Sequence, residues 1–333
     1  MADRWTYTRG LHEIGAGNWA YLVPDGTWGW SNAGLITDGD QTLLVDTLFD
    51  LHLTHEMLTT MRDAAPAAKR IDTLVNTHAD GDHTFGNSLL PDARVITTES
   101  VAERIVQDGG DRIVRLRESM APDSDGGRFI REVFGHFDHA GIVRPAPTET
   151  FVGERTLRVG DKEVRLVDVG PAHTFSDTLV HVPADRVLYT GDILFVGMHP
   201  AIWAGPIGNW IAACETILGL DVDVIVPGHG PIVDKAAVRR FADYLRFFYD
   251  EGKKRHQAGM SFAEAAFDMQ FGPFSDWHER ERVVINMYTL YRELDDAPPA
   301  PPPSVELWQL MGRYHYHHNE HACAACSAQA GGL

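Results

Sequence analysis

Short apolar runs alternate with helix-period stretches over about the first 230 residues of the chain. The runs lie at 43–46 (LLVD), 71–76 (IDTLVN), 164–169 (VRLVDV), 186–189 (RVLY) and 222–227 (VDVIVP), bounded by Gly, Asp and Pro. Runs this short and this apolar read as buried strands. Between them the pattern predicts helices over roughly 51–64, 100–106, 112–135 and 208–218. Strands alternating with helices imply an α/β fold whose sheets are covered by helices.

Beyond residue 235 the pattern changes to a purely helical one. Over 236–258, Phe241, Tyr244, Leu245 and Phe248 recur at helical spacing with charges between them. Ser261 followed by Glu264 has the form of a capping box that opens another helix. A further helix is predicted over 279–294. Residues 236–296 therefore read as a helical C-terminal extension packed on the core. The run APPAPPP at 297–303 reads as a stiff extended linker, because proline donates no backbone hydrogen bond. The remainder of 297–333 reads as a tail.

Composition narrows the partners. The net charge of −18 disfavours a nucleic-acid substrate, and no dense Lys/Arg run offsets it. No apolar run is long enough to span a membrane. The first ten residues, MADRWTYTRG, show no secretory signal. Three cysteines, Cys214, Cys323 and Cys326, do not make a disulfide framework. The expectation is a soluble, cytoplasmic protein that acts on a small molecule, with the extension and tail able to support a homodimer.

The chemistry-bearing residues cluster at strand ends. Asn76-Thr77-His78-Ala79-Asp80-Gly81-Asp82-His83 follows one predicted strand. Gly170-Pro171-Ala172-His173-Thr174, Tyr189-Thr190-Gly191-Asp192 and Pro227-Gly228-His229-Gly230 follow three others, and Leu44-Val45-Asp46-Thr47 ends a fifth. Loops at the strand ends of an α/β fold converge on one edge, so residues distant in sequence meet there. Each piece alone is ordinary turn chemistry. Together they offer a set of imidazoles and carboxylates suited to Zn²⁺, Mn²⁺ or iron.

The pattern resembles the metallo-β-lactamase superfamily, whose signature is His-x-His-x-Asp-His followed in order by a His, an Asp and a His. The resemblance covers roughly residues 10–235 and implies a catalytic domain over 1–235. The implied fold is an αβ/βα sandwich, two mixed β-sheets flanked by helices. Carried over residue by residue, it implies two divalent ions per chain, zinc first, with iron or manganese as alternatives. One ion falls to His78, Asp80 and His173, the other to Asp82, His83 and His229, and Asp192 bridges them. Asp46 would orient a ligand imidazole. Asp80 departs from the signature, which usually has His there. A carboxylate adds charge and hard oxygen character, which shifts preference towards iron or manganese.

Such a pair of ions lowers the pKa of a shared water, which then serves as the nucleophile, with Asp82 placed to accept or relay a proton. The leading expectation is hydrolysis of an ester, lactone, thioester or amide-like bond in a small apolar or aromatic molecule. The alternatives are a di-iron or di-manganese oxygenase or oxidoreductase, because of Asp80, and a polyketide cyclase or thioesterase.

Loops near the implied site supply pocket candidates. Trp28 and Trp30 would form an apolar wall. His199, as a donor to an oxyanion, and Trp203 follow Asp192 closely. His139 belongs to a segment, 135–139, that reads as a substrate lid. Cys214 reads as an inert core cysteine in a helix. The His/Cys cluster at 315–326 has the look of a metal site but lacks apolar flanks. It reads as adventitious binding or docking onto another subunit.

Overall fold

The computed structural model describes residues 5–108, 110–297 and 303–329, with side chains as far as residue 317. Strands β1 (Gly10–Gly15), β2 (Asn18–Leu22), β3 (Ala33–Asp38), β4 (Gln41–Val45), β5 (Thr73–Val75), β6 (Arg94–Thr98) and β7 (Glu149–Phe151) form one sheet in that order. It is antiparallel from β1 to β4 and parallel from β4 to β7. Strands β8 (Glu154–Val159), β9 (Lys162–Asp168), β10 (Thr178–Val182), β11 (Val187–Tyr189) and β12 (Val224–Val226) form the second sheet, also in chain order. It is antiparallel except where β11 meets β12. The expected α/β sandwich of two mixed sheets is present.

The two-residue period of a strand separates two cores. Leu43, Val45, Ile36, Val187 and Tyr189 point between the sheets and pack on Val164, Val180 and Val224. Their neighbours Leu44, Leu35 and Leu188 point outward to the helices. A one-residue slip would exchange the two sets, so burial on both faces fixes the register. In that register Val45 faces Val75, which brings Asp46 beside Thr77.

Helices α1 (Leu51–Ala64), α2 (Gly81–Thr84), α3 (Glu99–Asp108), α4 (Arg112–Glu118), α5 (Asp125–Phe134) and α6 (Ile207–Gly219) lie between the strands. The helix expected over 112–135 is two helices. Pro122 interrupts it, and Ser124 caps α5 by accepting from Gly127 N at 3.1 Å. Cys214 is buried in α6, and burial pushes its thiol up to about 12.

The extension comprises α7 (Lys235–Gln257), α8 (Phe262–Asp268) and α9 (Val283–Leu294). The capping box at Ser261 and Glu264 is formed in both directions. A last helix, α10 (Ser304–Gln329), lies beyond the proline run. Residues 304–317, read from the sequence as part of a tail, bury Leu307, Trp308, Met311 and Tyr314. They lie across α5, where Gly312 and Gly126 let the two backbones approach. A Cβ on Gly312 would fall 2.3 Å from the Asp125 carbonyl oxygen. The side chains of Cys323 and Cys326 lie outside the described residues. Among the described residues no helix is long and apolar enough to cross a membrane.

Candidate metal centre

The five strand-end segments meet. Asp46 N donates to the carbonyl of Val75, and this residue has a left-handed backbone, with φ of 64°. Its carboxylate then accepts three hydrogen bonds: Thr77 N at 2.8 Å, Thr77 Oγ1 at 2.7 Å and His83 Nδ1 at 2.9 Å. Because the Thr77 hydroxyl donates to Asp46, it accepts from His78 Nδ1, 2.9 Å away. His173 Nδ1 donates to the carbonyl of Ala201 at 2.7 Å, and His229 Nδ1 to that of Gly26 at 2.9 Å. Each imidazole therefore spends its Nδ1 proton on a fixed acceptor, which leaves Nε2 facing inward. Acceptors placed behind imidazoles in this way set both tautomer and ring orientation.

The inward atoms converge on three carboxylates. His173 Nε2 lies 3.3 Å from Asp80 Oδ2 and 3.3 Å from Asp192 Oδ2. His229 Nε2 lies 3.3 Å from Asp82 Oδ2 and 3.4 Å from Asp192 Oδ2. His83 Nε2 is 3.1 Å from Asp192 Oδ1, and His78 Nε2 is 3.9 Å from Asp192 Oδ2. Three groups result, each within reach of one ion: His78, Asp80 and His173; Asp82, His83 and His229; His78, His83 and Asp192. Gly228 admits this closure, since a Cβ there would fall 1.9 Å from Asp192 Oδ1.

Imidazole lone pairs facing carboxylates repel unless protons or cations lie between them. His78 Nε2, His83 Nε2 and Asp192 Oδ1 are buried with no hydrogen-bond partner. Leaving such an atom unsatisfied costs on the order of 1–3 kcal/mol. Without an ion, protons do part of the work. Burial opposes charge on both partners, but the carboxylates around it raise His173 to about 9 and His229 to about 8. Burial likewise opposes ionisation of Asp80, yet the hydrogen bond from His173 and the neighbouring imidazoles hold its carboxyl below the ordinary range. Divalent cations would replace these protons, so metal binding releases them. The donor set is nitrogen and oxygen only, and it is positioned to bind metal ions.

The site opens at one edge. The side chains of Asp80 and Asp82 are 27% and 14% exposed, whereas those of the four histidines and Asp192 are at most 4% exposed. Ser31 Oγ donates to the Asp82 carbonyl at 2.5 Å, which places the 27–32 loop beside this edge. Trp203 N donates to the His173 carbonyl at 3.0 Å, which places the 196–210 segment on the other side. Trp30 and Trp203 are half-buried. Trp30 packs on Phe137 with ring centroids 4.5 Å apart.

Trp28 is not an open wall. It is buried among Trp203, Trp308 and Phe134, at centroid distances of 6.2, 5.2 and 6.1 Å. Its Nε1 donates to Glu281 Oε1 at 2.8 Å, and the Arg282 guanidinium lies 4.3 Å over its ring. His139 is enclosed by Phe49, Phe85, Phe134 and Phe137, and burial lowers its pKa to about 4. His199 is fully buried, so the oxyanion role expected of it does not fit. Its Nδ1 contacts Tyr244 OH at 2.9 Å, and its ring packs on Phe271 and Trp277 from the extension. Thr77, Glu281, Arg282 and Trp308 escaped the sequence reading. Only Thr77 lay in a quoted motif.

A family model described as the metallo-β-lactamase superfamily matches residues 26–229. The chain belongs to the metallo-β-lactamase superfamily. It is 28% identical over 204 residues to the 2,4-dinitroanisole O-demethylase subunit alpha of Nocardioides sp., covering 59% of this chain and 51% of that one. It is 20% identical over 258 residues to the linear primary-alkylsulfatase of Pseudomonas sp., covering 69% and 48%. The chain thus spans about half the length of the curated relatives it matches. The solved structure of the inverting sec-alkylsulfatase Pisa1 from Pseudomonas sp. shares the fold with a TM-score of 0.63 at 17% identity, covering 88% of this chain and 52% of that one. A metallo-β-lactamase from Pontibacter korlensis gives a TM-score of 0.52 at 18% identity, covering 72% of this chain and 99% of that one.

Proposed function

We propose that the chain is a dinuclear metal-dependent hydrolase of small, apolar or aromatic molecules, cleaving an ester, lactone, thioester or amide-like bond. The observation that carries this reading is the set of four imidazoles with Nδ1 protons tied outward and Nε2 atoms meeting three carboxylates. His78, Asp80 and His173 would hold one ion, Asp82, His83 and His229 the other, and Asp192 would touch both. When bound, the two ions supply acidity to a water and polarise the bond to be broken. Asp82, at the open edge, would take a proton from that water and return it to the leaving group. Trp30 and Trp203 flank the opening and would bind the apolar part of the substrate. The relatives extend the bonds worth testing to sulfate esters and aryl methyl ethers.

The test is a panel of aryl esters, lactones, alkyl sulfates and nitroaryl methyl ethers, assayed with the metal-loaded protein and with Asp192→Ala. Turnover of one class that is lost in Asp192→Ala and on chelation supports the reading. Turnover that survives both contradicts it.

Asp80 favours a second reading, an iron or manganese enzyme acting with dioxygen, because a third carboxylate stabilises the harder and more highly charged ions. Its mark would be iron or manganese in the purified protein together with dioxygen consumption. A zinc protein that consumes none excludes it.

A further inference from the structure

Asp80 is the ligand that departs from the superfamily signature, and the structure gives it unusual surroundings. Asp46 and its hydrogen bonds brace His83 and His78, and main-chain carbonyls brace His173 and His229. The Asp80 carboxylate meets only imidazoles, accepting from His173 at 3.3 Å, and it is the most exposed of the ligands. Its position therefore depends on the backbone turn that carries it. Arg144 grips that turn from behind. Its Nη2 donates to the carbonyl of Ala79 and to Thr84 Oγ1, at 2.9 Å from the latter. Thr84 Oγ1 in turn donates to the carbonyl of Asp80 at 2.9 Å. The guanidinium also lies 5.5 Å over the Phe85 ring, and its Nε is buried without a hydrogen-bond partner. Its charge, like that of Arg112, lies within electrostatic range of the Asp80 carboxylate.

Charge gives this contact its meaning. A histidine at position 80 would be neutral, whereas the aspartate adds a third carboxylate to the ligand set. Arginine differs from lysine here in that its planar group packs over the Phe85 ring while one nitrogen, Nη2, reaches both acceptors. The other charges that face Arg144 are Asp108 and Arg112, and these two are paired with each other at 3.1 Å.

We propose that Arg144 is the positioning residue for Asp80: it clamps the turn that carries this carboxylate and adds positive charge on that side of it. The proposal rests on the metal-centre reading and concerns the ion held by His78, Asp80 and His173.

Competition with a chromophoric chelator, using Zn²⁺ as the probe, measures the two binding steps in the full chain. It is applied to wild type, Arg144→Lys, Arg144→Gln, Asp80→His and the double variant Asp80→His/Arg144→Gln. Arg144→Gln is expected to weaken one step by about 10- to 100-fold, the range for residues that orient ligands, and to leave the other step unchanged. Arg144→Lys keeps the charge but not the planar group over Phe85, and it should fall between. In the Asp80→His background, Arg144→Gln should weaken that step less than it does in wild type, because the clamp on the turn still acts while the carboxylate charge it offsets is gone. Equal losses in both backgrounds, or loss at both steps, would make Arg144 a general structural residue and overturn the proposal. If Arg144→Gln does not fold, the Lys variant decides: no weakening at either step overturns the proposal. Wild type that takes up no Zn²⁺ removes the metal-centre reading itself, and the proposal with it, an outcome distinct from any pattern among the Arg144 variants.

Discussion

The ligand loops and the aromatic layer over them are assembled in opposite ways. In the loops, most of the ligands are neighbours in sequence, and longer contacts such as that of His229 with Gly26 brace them from behind. Thr77 supports His78, and one short segment supplies His78, Asp80, Asp82 and His83. In the layer, each contact joins remote parts of the chain: Trp28 to Glu281 and Trp308, Phe49 to His139, His199 to Tyr244. A site whose parts are local can be read as a motif. A wall whose parts are remote exists only once the fold has closed, and it can vary while the ligands stay in place. This contrast fits a family in which one metal scaffold carries many chemistries.

If the regions are separable, variants should fall into two classes. The largest effect is expected from Asp192→Ala, which removes the carboxylate that faces all four imidazoles. Both equivalents of metal should be lost on desalting, while circular dichroism stays folded. Retention of one tightly bound equivalent would show that Asp192 serves a single ion. Next comes Trp308→Ala, on the layer's side. Removing a buried tryptophan costs about 3–5 kcal/mol in stability. Urea melts should show that loss with metal stoichiometry unchanged, and depleted metal in folded protein would break the separation. Asp46→Asn should be smaller. It keeps the shape but loses the charge that draws the His83 Nδ1 proton, and metal affinity should fall by about 10- to 100-fold.

The smallest effect concerns His139. Burial lowers its pKa to about 4 in the folded chain, below the ordinary imidazole value of 6.5. Between those values the unfolded state binds more protons than the folded state, so stability falls as pH drops from about 6.5 towards 4. His139→Leu should flatten that part of the curve. Chemical melts at pH 7 and pH 4.5 check this, and an unchanged slope would place the imidazole in water.

The sequence showed the cluster of imidazoles and carboxylates because the loops at strand ends must converge. The parallel pairing of β4 with β5, in the register set by their burial, puts Asp46 beside Thr77. Other features were hidden for physical reasons. Pro122 splits a helical pattern whose apolar spacing continues across it. The proline run at 297–303 made the segment after it look detached, yet Trp308 and Met311 are buried. His199 looked accessible because it follows Asp192 closely, but Tyr244 and Phe271 enclose it from a segment that sequence spacing cannot place.

The most direct test of the account is elemental analysis of the full chain, purified without added metal and after reconstitution. Two equivalents of divalent metal per chain, falling to none in Asp192→Ala, is the predicted result. A folded wild-type protein that holds no metal after reconstitution would contradict it, because the inward Nε2 atoms and three carboxylates would then have no cation to bring them together.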